Sequence, residues 1–394
     1  LALLLVLVGG APCTPPAAVR PGIDVLLTDS LALVRGRRVG LLTNQTGIDG
    51  AGRDDLSRLL GAGITVTALF SPEHGFRGVL DMENIGHGVD SATGLPLYSL
   101  YGDVLEPTPA MLARVDVIVV DLQDIGARTY TYVSTALRTL RAAARTGVDV
   151  VALDRPNPIG GTLMQGPVLD PAFASFVGML PVPLRHGMTF GELLRLGNDV
   201  LGLGGRLTVV PVVGWRRDRW FDATGLPWVR PSPNMPDLES AAHYPGLVLF
   251  ESTNLSVGRG TPIAFQVVAA PWLDARGVAA DLAGLPGVTL RDTVIAPMRP
   301  TDHKYDGQRL PALRFRVTDR RVYDAAHLAA RLLAALVRRQ PDSLRIDSLG
   351  FDRRAGTDRL RRAIVAGVPA DSVAAGWRDA LDRFAAVRRP YLLY

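Results

Sequence analysis

The 394-residue sequence contains one cysteine, Cys13, which excludes an internal disulfide and any cysteine-built metal site. Its six histidines are widely separated and form no H-x-x-x-H pair, so no metal centre is expected. The first candidate nucleotide turn, "GLLTNQTGIDG", lacks G-x-G-x-x-G, and no Walker lysine follows a glycine loop; no nicotinamide or nucleotide cofactor is expected. A G-x-S-x-G elbow is also missing, which counts against a serine esterase or amidase. The opening apolar run, "LALLLVLV", has eight residues, too few to span a bilayer as a stable helix. Basic residues give a net charge of +5 but are scattered among aspartates, as in "RRDRWFD" and "DRRAGTDRLRR". A nucleic-acid partner would instead call for a clustered basic stripe.

What is present fits a globular chain of about two domains: 47% hydrophobic and 21% charged residues. The start, "LALLLVLVGGAPC", has the apolar run and small residues of a partial export signal. Residues 1–20 are read as this leader. Either simple cleavage or lipidation at Cys13 fits, and membrane attachment is expected only through a lipidated Cys13. The mature protein is expected outside the cytoplasm.

After the leader, "RRVGLLTNQ", "TVTALFS", "VDVIVVDLQ" and "VDVVALDRP" are short β-branched runs that suit strands buried on both faces. Helical stretches alternate with them. The longest, "YTYVSTALRTLRAAARTG", carries an apolar stripe at Val133, Ala136, Leu137 and Leu140 and stops at Gly147. Alternation predicts an α/β fold with a parallel sheet over residues 21–218, followed by a smaller α/β domain over 219–394. The run "GLVLFE" reads as a strand of that second domain ending at Glu251.

Ligands of open parallel sheets sit beyond the strands' carboxyl ends. Four strand ends here carry polar residues: Thr43-Asn44-Gln45-Thr46-Gly47, Ser71-Pro72-Glu73-His74-Gly75, Asp121 to Asp124 running on to Arg128, and Asp154-Arg155-Pro156-Asn157-Pro158. Amides and aromatic faces suit a sugar cleft, and carboxylates suit glycoside hydrolysis.

"LLTNQTG", "LFSPEHGFRG", "TGLPLYSLYG", "VDVIVVDLQDIGARTYTY", "LDRPNPIGG", "GPVLDP", "LRHGMTFGELL", "TGLPWVRPSPNMP", "YPGLVLFESTNLSVGRGT" and "YLLY" resemble, in order, a bacterial family of exo-β-N-acetylmuramidases. The resemblance runs from Gly40 to Tyr394. It implies a Rossmann-like domain, a smaller C-terminal domain, an active site in the cleft between them, and removal of N-acetylmuramic acid from the non-reducing end of peptidoglycan fragments. Two positions depart from the family pattern: Gln165 stands where an acid is usual, and His303-Lys304-Tyr305 replaces S-K-Y.

Glu73 is the first candidate for a catalytic carboxyl, on a proline-shaped turn beside Phe70 and Phe76, with His74 to orient it or share its proton. Asp121, Asp124, Asp154 and Glu251 compete as its partner, and Asp124 also has a structural reading as an ion pair with Arg128. The lactyl carboxylate of muramic acid calls for an arginine: Arg77, Arg128, Arg185 or Arg259. Arg259, between two glycines, is preferred, with a brace at the domain interface as its other reading. Asn44, Asp154, Asn157, Asn234 and Asn254 are candidate sugar partners. Tyr130, Tyr132 and Trp228 offer stacking faces, and His186 is either a cleft residue or a helix cap. A non-catalytic muropeptide receptor is the alternative from a different class.

Overall fold

A computed structural model describes residues 18–78 and 86–394; Cys13 and the apolar opening run lie outside them. The first half contains α1 (Gly22–Asp29), β1 (Arg38–Thr43), α2 (Asp55–Gly61), β2 (Thr65–Ser71), β3 (Gly88–Val89), β4 (Pro96–Ser99), α3 (Pro109–Leu112), β5 (Val117–Asp121), α4 (Tyr132–Thr146), β6 (Asp149–Leu153), β7 (Gln165–Val168), β8 (Pro183–Arg185), α5 (Phe190–Val200) and β9 (Leu207–Val210). Seven strands form one sheet in the order β3-β4-β2-β1-β5-β6-β9, parallel except for the short β3. The chain steps from β1 to β2 on one side and returns to β5 on the other, so the switch point lies around the end of β1.

The apolar runs form central strands because both sheet faces are covered. Leu42, Phe70, Ile118 and Val120 pack toward α4 and α5, while Val39, Leu41, Val117 and Val119 pack with α1 and α2. Helix α4 ends as expected, with Gly147 in the left-handed conformation at φ 71°. Helix α5 begins with a capping box between Thr189 and Glu192.

The second half contains α6 (Leu238–Leu247), β10 (Val267–Ala269), α7 (Ala275–Asp281), β11 (Val288–Ile295), β12 (Leu310–Val317), α8 (Ala325–Arg339), α9 (Ser348–Ala355), α10 (Arg359–Val365), α11 (Ala370–Ala375) and α12 (Arg378–Arg388). Its sheet is antiparallel, β10-β12-β11. The strand expected over "GLVLFE" is instead the end of α6 followed by a 3-10 turn over Val248–Ser252. Ser240 to Phe250 are all buried, so no exposed face imposed a helical period on the sequence. Gly246 has a tertiary cause: a Cβ there would lie 1.9 Å from the Ala325 carbonyl oxygen, so only glycine lets α6 approach α8 this closely.

One hydrophobic core joins the halves, running from Phe70 and Val120 through Tyr244 and Phe250 to Phe315 and Leu333.

Candidate active site

The turn after β2 is built around backbone that side chains rarely adopt. Gly75 N–H donates to Pro72 O at 3.1 Å, and His74 sits at φ 71° beside Gly75 at φ 76°. A left-handed histidine costs about 1 kcal/mol or more and persists only where the surroundings enforce it. His74 is buried, whereas Glu73 before it is half-exposed. The Thr131 hydroxyl donates a short hydrogen bond to Glu73 Oε2. Thr131 occupies the N-cap position of α4 yet makes no capping bond to its own helix; its hydroxyl is committed to Glu73 instead.

Aromatic rings connect this carboxyl to the second half. Tyr130 stands edge-on to Tyr132 at 4.8 Å and to Tyr244 at 5.9 Å, and Tyr244 lies 4.6 Å from Phe265. The Arg259 guanidinium rests over Phe265 at 5.6 Å. Asn44 fixes one end of the row. Its Nδ2 donates to Tyr132 Oη at 2.9 Å, and its Oδ1 accepts from Thr46 N at 2.9 Å and Thr46 Oγ1 at 2.6 Å. Tyr132 in turn donates to Pro231 O, on the segment that carries the buried Asn234 between the halves. Burial pushes the Tyr244 hydroxyl up; Glu251 and Glu73 add to the rise, and Arg259 and Arg354 oppose it. Charges from both halves therefore act on one phenol.

The second half contributes a bank of ion pairs. Arg259 Nε donates to Glu251 Oε1 at 2.7 Å and its Nη1 to Thr301 Oγ1 at 3.3 Å, while Arg354 Nε stands 3.6 Å from Glu251 Oε2. Lys304, the single lysine of the chain, donates to Glu251 O at 2.9 Å and Leu255 O at 3.1 Å and holds this turn in shape. Its ammonium is lowered, first by burial.

Other residues expected at the site have their polar groups taken up elsewhere. Arg128 is buried and donates to the carbonyls of Pro167, Val182 and Arg354 at 2.8, 2.8 and 2.9 Å; burial pushes it down to about 9. It bridges the halves through backbone and makes no pair with Asp124. Asp124 Oδ2 accepts from Gly126 N at 2.6 Å and lies 3.3 Å from His186 Nε2, with both side chains buried. His186 caps no helix: Nδ1 accepts from Met188 N at 3.1 Å, and Thr189 is the α5 cap. Asp121 is paired with Arg155. Asp154 accepts from Thr189 Oγ1, Gly191 N and Tyr394 Oη at 2.7–2.8 Å.

Asn157 bonds Met188 O and Ile159 N, and Asn254 bonds Ser343 O and Arg345 N, so both amides pin loops. Arg77 is exposed and paired with Asp90 at 3.3 Å, and Trp228 packs edge-on to Phe221 at 5.1 Å. Both oxygens of Glu251 face guanidiniums, an arrangement for orienting cations. Gln165 is a connector: Nε2 donates to Tyr323 O at 2.7 Å, and Oε1 accepts from Arg185 Nη1 at 3.2 Å. Arg185 also lies over the Trp220 ring at 5.5 Å, and burial pushes it down to about 10.

Thr131, Tyr244 and Arg354 join the site without having been singled out from sequence. Thr131 lies between Tyr130 and Tyr132, which were, and Tyr244 opens the motif "YPGLVLFESTNLSVGRGT"; Arg354 in "DRRAG" carried no such signal.

Fold and candidate site together define a Rossmann-like α/β protein with no phosphate loop among the described residues, whose polar sheet edge meets a smaller α/β half across a row of tyrosines. The chain belongs to the exo-β-N-acetylmuramidase NamZ family: the family's N-terminal domain matches residues 39–239 and its C-terminal domain residues 242–394. It is 40% identical over 381 residues to the peptidoglycan β-N-acetylmuramidase NamZ of Bacillus subtilis, covering 95% of this chain and 91% of that protein. Two crystal structures of DUF1343 family proteins from Bacteroides fragilis are similar. One has a TM-score of 0.89 at 33% identity, covering 96% of this chain and all of that one. The other has a TM-score of 0.76 at 30% identity, covering 95% and 99%.

Proposed function

We propose that this protein is an exo-acting glycoside hydrolase that releases N-acetylmuramic acid from the non-reducing end of peptidoglycan fragments. The observation that carries the reading is the strained turn that holds Glu73 against Thr131, joined through Tyr130 and Tyr244 to the arginine-bearing bank of the second half. Protonated Glu73 gives its proton to the glycosidic oxygen as the C1–O bond breaks, and water adds to C1 and returns a proton. Tyr130 and Tyr244, both buried, pack the row that ties Glu73 to the second half. Family membership and the muramidase activity named for the Bacillus subtilis relative support the substrate class. We further propose that residues 1–20 are an export leader and that the protein works outside the cytoplasm, with simple cleavage or lipidation at Cys13; the apolar opening run supports this.

The test is incubation of the purified protein with an aryl β-N-acetylmuramide and the matching glucosaminide. Release of the phenol from the muramide is expected. A muropeptide receptor would instead show a raised melting temperature with the muramide and no turnover. Fractionation of cells, with and without labelled fatty acid, tests the location and the lipid.

A further inference from the structure

Arg354, near the C-terminal end of α9, is fixed without being used up. Its Nη1 donates to Ser252 Oγ at 2.7 Å and lies 3.4 Å from Gly350 O, and its Nε stands 3.6 Å from Glu251 Oε2. Its backbone oxygen is itself held by Arg128 at 2.9 Å. The remaining nitrogen, Nη2, donates to no described residue, and the side chain is 28% exposed. Such a guanidinium is pre-oriented: one edge is locked by the protein and one donor faces outward. Glu251 locks Arg259 in the same way from its other oxygen. Glu251 thus holds the Arg259 and Arg354 guanidiniums side by side, with Lys304 on its backbone oxygen.

We infer that Arg354 is a specificity-determining residue that pairs with the carboxylate of the substrate's acidic sugar, and that Glu251 is the positioning residue which aims Arg354 and Arg259 together. The assignment rests on the muramidase reading. N-acetylmuramic acid differs from N-acetylglucosamine by one lactyl ether, whose carboxylate is the only charge on the sugar, so discrimination must come mainly from meeting that charge. A carboxylate met by a fixed guanidinium forms a charge-assisted hydrogen bond, roughly twice as strong as a neutral one. Removing one partner of such a pair at a partly exposed site costs about ten- to a hundredfold in affinity.

The experiment compares an aryl β-N-acetylmuramide with its lactyl methyl ester, which differs by one methyl group and carries no charge. Wild-type protein is expected to prefer the acid by at least tenfold in kcat/KM. Arg354→Gln is expected to lower kcat/KM for the acid by about ten- to a hundredfold, mostly through KM, and to leave the ester within threefold. Arg354→Lys, which keeps the charge but not the planar fork, is expected to fall between. It also provides the comparison if the glutamine variant does not fold. Equal loss on acid and ester in a folded variant overturns the assignment, as does wild-type protein that treats the two alike. Wild-type protein that cleaves neither compound overturns the hydrolase reading itself and this assignment with it.

Discussion

Replacing Glu73 by glutamine separates the chemistry of this carboxyl from its structural role. The carboxyl oxygen that accepts from Thr131 is matched by the amide oxygen of glutamine, and the side chain is half-exposed, so the second substituent keeps access to water. The stability change should therefore stay below about 1 kcal/mol. The lost proton is another matter: general acid catalysis contributes about 10²–10⁴-fold, or about 3–5.5 kcal/mol of barrier. That loss should depend on the leaving group. A sugar hydroxyl needs protonation to depart, whereas an activated nitrophenolate hardly does. Glu73→Gln is thus expected to lose activity toward the upper end of that range on a muramyl disaccharide and far less on a dinitrophenyl muramide. The assay is kcat on both substrates beside a thermal melt. Near-wild-type turnover of the disaccharide would remove Glu73 from the catalytic machinery, and equal loss on both substrates would show that it acts other than as a proton donor.

Gln165→Glu supplies Arg185 with a counter-charge but sets a carboxylate oxygen against Tyr323 O, so melting should move by less than about 1 kcal/mol equivalent and turnover should not change; a tenfold rise in kcat would mean that the acid usual at this position takes part in catalysis. Arg128→Met removes donors to three buried carbonyls and should cost about 3 kcal/mol by denaturant titration, while acid and ester substrates are affected alike; a selective loss on the acid would return Arg128 to the list of ligands. Burial pushes the Asp154 carboxyl up to about 6, from an unfolded value near 3.8, so the native state binds more protons in that window. Stability from this group is full below about pH 4 and falls as pH rises through about 6, by about 3 kcal/mol in all. Melting curves from pH 4 to 7 should show that fall, and Asp154→Asn should flatten it.

The sheet was legible because its strands are continuous apolar runs with polar ends, a pattern that needs no tertiary information. The four strand ends were located correctly, but which of them stay open was not readable. Asp121, Asp154 and Asn157 lie at those ends and are consumed by contacts with Arg155, Thr189 and Met188, partners brought in by the fold. The same holds for Arg128, whose three acceptors come from β7, the approach to β8 and α9. The stretch before Glu251 was misread because a segment buried on every side shows no period, and a short apolar run then looks like a strand. Arg354 was invisible for a different reason: it sits in the arginine-rich stretch "DRRAGTDRLRR" with no local mark of its own, and only Ser252 and Glu251, about a hundred residues away in sequence, set it apart.

The place where a Rossmann-like fold holds a phosphate is filled here, and the candidate carboxyl Glu73 lies one strand further along. A phosphate would meet the backbone N–H groups at the turn after β1 and the start of the next helix. Here α2 begins with the buried Asp55, whose Oδ2 accepts from Thr43 Oγ1 at 3.3 Å. Gly47 fills the remaining space: a Cβ on it would lie 2.0 Å from Thr43 Oγ1 and 2.3 Å from Asp55 Oδ2. The protein brings its own acid to this position. Burial and the neighbouring Asp121 push the Asp55 carboxyl well up, burial pushes Asp121 up as well, and Arg155 pairs with Asp121. Two carboxyl groups and one guanidinium fill the first crevice in place of a phosphate. The next strand end toward the sheet edge is that of β2, and there the chain accepts a left-handed histidine to turn Glu73 toward Thr131. The carboxylate at β5 thus belongs to the closure of the first crevice, the one at β6 to the start of α5 and the C-terminal tyrosine, and the one at β2 to the candidate site.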